Sequence, residues 1–82
     1  MVVLTIQKYY FNMINIKKLI KKDVGRFVIY REGDAWGCEL GRIKSWNDKF
    51  IFVVYKCGGN WNKFKNYTGQ ATNPEDIKYV LQ

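Results

Sequence analysis

An 82-residue chain, 48% hydrophobic and 17% aromatic, allows one small domain whose thin core is filled by large rings, and its single proline argues against disorder along the whole length. The formal charge of +7 is uneven: residues 1–22 carry five lysines and no acid, whereas residues 23–82 carry nine basic against seven acidic residues, a net of +2. With no histidine, the chain lacks Ser-His and Cys-His nucleophile pairs and any imidazole base, and two cysteines fall short of the about four ligands of a structural zinc.

Residues 1–16, "MVVLTIQKYYFNMINI", are apolar but interrupted by Gln7, Lys8 and Asn12. No basic region precedes them and no small-residue cleavage site follows, so a signal peptide is not expected. No apolar run approaches the ~20 residues that span a bilayer, so no membrane partner is expected. The sparse cysteines fit a reduced, cytoplasmic setting. Met13 is an alternative start to Met1. Residues 1–12 then read as an extension, either disordered or, given the β-branched "VVLTI", an extra strand. Residues 13–24 are expected to form a short basic amphipathic helix, with Asn15 as its cap and Ile16, Leu19 and Ile20 as an apolar stripe opposite the lysines. That helix either plugs one end of a small sheet or docks on an anionic surface.

Residues 25–82 read as a small β-barrel of about five strands. "RFVIYR" (26–31) is the first strand and "EGDAWG" (32–37) a loop. "CELGRIKSW" (38–46) and "KFIFVVYKC" (49–57) form a hairpin about an Asn47-Asp48 turn. "WNKFKNYTGQA" has Trp61, Phe64 and Tyr67 three apart, which suits a helical or 3₁₀ turn, with an irregular strand as the alternative. Asn73-Pro74-Glu75-Asp76 is a helix start, and "IKYVL" closes the sheet.

A two-residue turn places Trp46 opposite Lys49, Leu40 opposite Tyr55, Arg42 opposite Val53, and Glu39 opposite Lys56 as a favourable charge pair. One face then carries Ile43, Phe50, Phe52 and Val54 as the core, with Gly41 leaving room for a bend. The other mixes Arg42, Lys44, Trp46, Lys49 and Tyr55 with Ile51 and Val53. A shift of one residue swaps the faces. The same register sets Cys38 opposite Cys57; two reduced thiols are expected rather than a disulfide. The glycines form no phosphate-binding loop. Glu32 and Asp34 read as loop polarity, and Glu75 and Asp76 as helix-start charge.

The run "DVGRFVIYREGDAWGCELGRIKSWNDKFIFVVYKCGGNWNKF" resembles an SH3-like small barrel of the Tudor/KOW type, through Gly25, Tyr30, Trp36, Gly41-Arg42-Ile43 and Val53-Val54-Tyr55. "GRIKSWN", "FIFVVY" and "YTGQATNPEDI" are also similar to segments of small proteins encoded in bacterial and phage genomes. The resemblance covers roughly residues 23–80. Tudor relatives imply an aromatic cage for methylated side chains, with Tyr30, Trp36 and Tyr55 at cage positions, Trp61 nearby and Asn60 as the amide beside them. KOW relatives imply RNA, ribosomal or transcriptional partners, which Arg42, Lys44 and Lys49 would suit.

The expectation is a non-enzymatic module without cofactor or metal, binding a protein partner through an aromatic-basic face of Trp36, Arg42, Lys44, Trp46, Lys49, Tyr55 and Trp61. A phage or mobile-element accessory role follows from the resemblance alone. The alternative is nucleic-acid binding, with Arg42, Lys44 and Lys49 on phosphates and Trp46 or Tyr55 stacked on a base. A further alternative is self-association through an uncovered strand edge.

Overall fold

The computed structural model describes residues 13–31 and 38–80. The readings placed on residues 1–12 and on the 32–37 loop, with Glu32, Asp34 and Trp36, lie outside the described residues. Five short strands, β1 (Phe27–Tyr30), β2 (Glu39–Trp46), β3 (Ile51–Val54), β4 (Gln70–Thr72) and β5 (Ile77–Tyr79), form one antiparallel sheet in the order β4-β3-β2-β1-β5. Four 3₁₀ segments accompany it: η1 (Ile16–Lys18), η2 (Lys21–Asp23), η3 (Trp61–Asn66) and η4 (Pro74–Asp76). The two outermost strands are neighbours in sequence, joined through η4 alone. Asn73 caps that turn by accepting the Glu75 N–H at 3.1 Å, and Pro74 occupies its first position.

The expected amphipathic helix over 13–24 is replaced by two single turns. Asn15 does cap the first, accepting the Lys17 N–H at 3.0 Å. Between η1 and η2, Leu19 (φ −67°, ψ 136°) and Ile20 (φ −131°, ψ 170°) are extended. Eight residues are too few for a self-supporting α-helix, and the extended path lets Leu19 reach the core while Ile16 packs against its edge. Ile20, expected on the same apolar stripe, is 57% exposed. Upstream, Met13 makes an isolated antiparallel bridge to Lys78 of β5.

The hairpin register also differs. Asn47 Oδ1 accepts the backbone N–H groups of Lys49 (2.8 Å) and Phe50 (2.7 Å), and Asn47 N–H donates to Phe50 O at 3.0 Å. This side-chain capture moves the turn centre to Asp48-Lys49. Trp46 then faces Ile51, and Ser45 faces Phe52. A bulge between Ile43 and Ser45 then slips the ladder back by one residue, setting Ile43 opposite Val53 and Arg42 opposite Val54. Glu39 pairs with Tyr30 of β1, and the ladder with β3 ends at Arg42.

The core face is consequently not the expected one. Ile43 keeps its place, but it packs with Ile51, Val53 and Tyr55, together with Val28, Ile77, Ile14 and Leu19. Phe50 is 40% exposed and Phe52 half-buried. Val54 is fully buried in a second cluster with Cys57 and Phe64, flanked by Val24, Trp61 and Tyr67. β3 is thus covered on both sides, which explains its unbroken apolar run. Cys57 is buried, Cys38 is exposed, and both are free thiols.

Gly41 sits where β2 passes under the Tyr55 ring. A Cβ there would overlap Val53 Cγ1 and lie 2.8 Å from Tyr55 Cδ1. Gly41→Ala is therefore expected to cost about 1–3 kcal/mol through overpacking, read as a lower urea midpoint with an unchanged slope. An unchanged midpoint would refute this packing.

Candidate functional site

Arg42 and Lys44 project from β2 toward η3. Arg42 Nε donates to Gly25 O and Nη1 to Trp61 O, both at 2.7 Å. Its guanidinium lies 4.7 Å from the Phe27 ring centroid and 4.3 Å from that of Phe64. Lys44 Nζ donates to Tyr67 O at 2.7 Å. Trp61 opens η3 and Tyr67 ends it, so two cations on one strand hold the carbonyls at both ends of one 3₁₀ segment. Gly25, with φ 92°, supplies the other carbonyl, and a side chain there would crowd Arg42 Nη2 at 3.0 Å. Arg42 and Lys44, two of the three cations expected on a partner face, are engaged inside the fold.

The remaining expected site residues are distributed over separate places. Trp46 is half-buried against the core and lines a concavity of about 440 Å³ with Ile16, Lys17, Asn47 and Asp48. Lys49 is exposed on the hairpin turn. Trp61 packs edge-on against Phe27 at 5.7 Å and lines a hollow of about 250 Å³ with Gly59, Asn60, Asn62 and Lys63. Asn60 Nδ2 donates to the Tyr67 hydroxyl at 3.0 Å, away from Tyr30 and Tyr55.

Tyr55 belongs to a third place. At the ends of β1, β3 and β4, a cleft of about 240 Å³ is lined by Tyr30, Tyr55, Glu39, Thr72, Asp76 and neighbouring backbone. The two tyrosine rings meet edge to face, with centroids 5.8 Å apart and planes at 71°. Tyr55 is only 9% exposed, and its hydroxyl shares a hydrogen bond of 2.9 Å with Thr72 Oγ1. Thr72 Oγ1 in turn donates to Gln70 O at 3.1 Å, so the Tyr55 hydroxyl is the donor of the first bond. Glu39 arrives through its pairing with Tyr30, and Asp76 through η4. Arg31, at φ 52°, donates its N–H to Asp76 O at 2.8 Å and sets its guanidinium 5.3 Å from the Tyr30 centroid.

Two tyrosine rings and two carboxylate residues line one cleft, a composition that suits a cation better than an anion, and the Arg31 guanidinium already lies beside the Tyr30 ring. Glu39 and Asp76 escaped the sequence reading because each already had a local explanation: cross-strand pairing with Lys56 for one, helix-start charge for the other. The one sequence signal for the cleft was the resemblance that set Tyr30 and Tyr55 together.

Burial pushes the Tyr55 phenol above its usual 10.0; the Thr72 hydrogen bond acts the other way, and Tyr30, Glu39 and Asp76 add to the rise. Burial likewise raises Tyr79. A phenol held neutral by the fold stabilises it below pH 10.0, and that contribution is lost as pH climbs above this value. Denaturation midpoints should therefore fall in this alkaline range, and Tyr55→Phe should flatten the fall while losing about 1 kcal/mol at neutral pH with its hydrogen bond. An alkaline profile identical in wild type and variant would contradict the assignment.

Compared with known proteins, the chain matches no family model, no curated protein and no solved structure.

Proposed function

We propose that the protein is a non-enzymatic binding module, a small SH3-like barrel, that engages a protein partner by receiving one of its cationic side chains in the Tyr30–Tyr55 cleft. The barrel reading is supported by the meandering strand order and by the single 3₁₀ turn that links the outermost strands. The glycine and bulge in β2 favour a curled sheet. The observation that carries the binding reading is the pair of orthogonal tyrosine rings flanked by Glu39 and Asp76. A lysine or arginine side chain entering there gains ring-face attraction and a carboxylate partner while its stem packs on tyrosine carbon.

The aromatic-basic face expected from the sequence is less well supported as one surface, because Arg42 and Lys44 are committed to Gly25, Trp61 and Tyr67 carbonyls. The same commitment weakens the nucleic-acid reading, which needs Arg42, Lys44 and Lys49 on phosphates and keeps only Lys49 uncommitted on the hairpin turn. An accessory role in a phage or mobile element is compatible with a partner-binding module and rests on the sequence resemblance.

The cleft is tested with small probes followed by amide and side-chain NMR. Nα-acetyl-lysine amide and Nα-acetyl-arginine amide should shift Tyr30, Glu39 and Thr72 resonances saturably, with Kd near about 1 mM, worth about 4 kcal/mol. The uncharged norleucine analogue should not. Glu39→Gln with Asp76→Asn should weaken binding about tenfold or more. No saturable shift, or equal binding of norleucine, would overturn the reading.

A further inference from the structure

The loop that replaces the expected N-terminal helix has an unusual surface. Leu19 and Ile20 are consecutive extended residues, so their side chains leave the backbone on opposite sides. Leu19 is buried in the core, which obliges Ile20 to face outward. Ile20 is held in that pose, because its backbone N–H donates to Asp23 Oδ2 at 2.9 Å. Lys17 and Lys18 precede it and Lys21 and Lys22 follow it, all exposed. Among the described residues, none of these four side chains is engaged in a hydrogen bond or ion pair. Asp23, the one acid of residues 13–24, is turned inward on its own segment: its Oδ1 accepts from Arg26 Nη1 at 3.3 Å, and Arg26 in turn stacks on Tyr79. Met13, on the same segment, is 56% exposed.

We propose that this loop docks on an anionic lipid surface, with Ile20 entering the headgroup–acyl boundary and the four lysines lying on the charged headgroups. Charge complementarity requires a polyanion. The apolar tip selects a bilayer among polyanions. A nucleic-acid strand would be met by an aromatic ring that stacks on a base; the residue at the centre of the lysines is instead the aliphatic Ile20, and Trp46, which lines a concavity with Ile16 and Lys17, is packed against the core. A bilayer offers an aliphatic side chain somewhere to go. Among the described residues no helix is long and apolar enough to cross a membrane, and interfacial docking needs none. The earlier expectation of no membrane partner rested on spanning segments alone. Four lysines and one isoleucine give reversible rather than permanent attachment. The patch is separate from the Tyr30–Tyr55 cleft, so either proposal can fail without the other.

Flotation of the full chain with phosphatidylcholine vesicles, with and without phosphatidylserine, tests it. Circular dichroism checks that each variant is folded. Wild type should float only with phosphatidylserine present. Removing a lysine should lower the partition coefficient about fivefold. Lys21→Glu with Lys22→Glu should abolish flotation, and Ile20→Ser should reduce it about tenfold with all charges kept. The proposal is overturned if folded wild type stays with the soluble fraction, or if Ile20→Ser floats as well as wild type. It is equally overturned if a single-stranded oligonucleotide binds through the same lysines while vesicles do not.

Discussion

A guanidinium withdrawn from water must find acceptors for its N–H groups, and in this protein that requirement organises one side of the sheet. Arg42 is half-buried between the Phe27 and Phe64 rings and donates to Gly25 and Trp61 carbonyls. Charge-assisted bonds of this kind contribute about 1.5–3 kcal/mol each. They join the turn before β1, the middle of β2 and the start of η3, three pieces far apart in sequence. Lys44 adds the far end of η3 through Tyr67 O. A 3₁₀ segment of this length has poor internal hydrogen bonding. Its position on the sheet comes from these cations and from Phe64, which is buried with Val54 and Cys57.

The bulge in β2 makes this arrangement compatible with a core on the other side. In a regular strand Arg42, Lys44 and Trp46 would share one face. The extra residue between Ile43 and Ser45 lets Arg42 and Lys44 serve η3 while Ile43 and Trp46 both pack on the main core. β3 supplies the counterpart to each side: Ile51 and Val53 inward, Val54 beneath η3. With side chains packed on both faces of β3, the two places proposed for binding are found at strand ends and turns. The Tyr30–Tyr55 cleft and the lysine loop around Ile20 both lie there.

Local signals in the sequence were read well. The strands "RFVIYR", "CELGRIKSW" and "KFIFVVYKC" all contain strands of the sheet, and both Asn15 and Asn73 cap their turns. Those features depend on residues within a few positions of one another. The face assignment failed because it depends on single-residue events. Capture of two amides by the Asn47 side chain moves the pairing by two residues and keeps the faces, whereas the one bulge at Lys44 reverses which side of β3 meets Ile43, and neither leaves a periodic trace. Arg42 and Lys44 looked like partner contacts because nothing local marks a cation that will meet a carbonyl some twenty positions downstream. Glu39 and Asp76 were invisible as site residues for the complementary reason: only the sheet topology brings them beside Tyr30 and Tyr55.

Arg42 fastens η3 to the sheet through the Trp61 carbonyl and the Phe64 ring. Native-state amide exchange on Arg42→Met measures this directly, because methionine keeps most of the volume and removes the donors. The Lys63 and Tyr67 amides, which donate to Asn60 O and Phe64 O, should lose protection by about tenfold or more, equivalent to about 1.4 kcal/mol. The amides of Val28, Ile43 and Val53 should retain theirs relative to one another. Equal loss across η3 and the sheet, or no loss at η3, would contradict it.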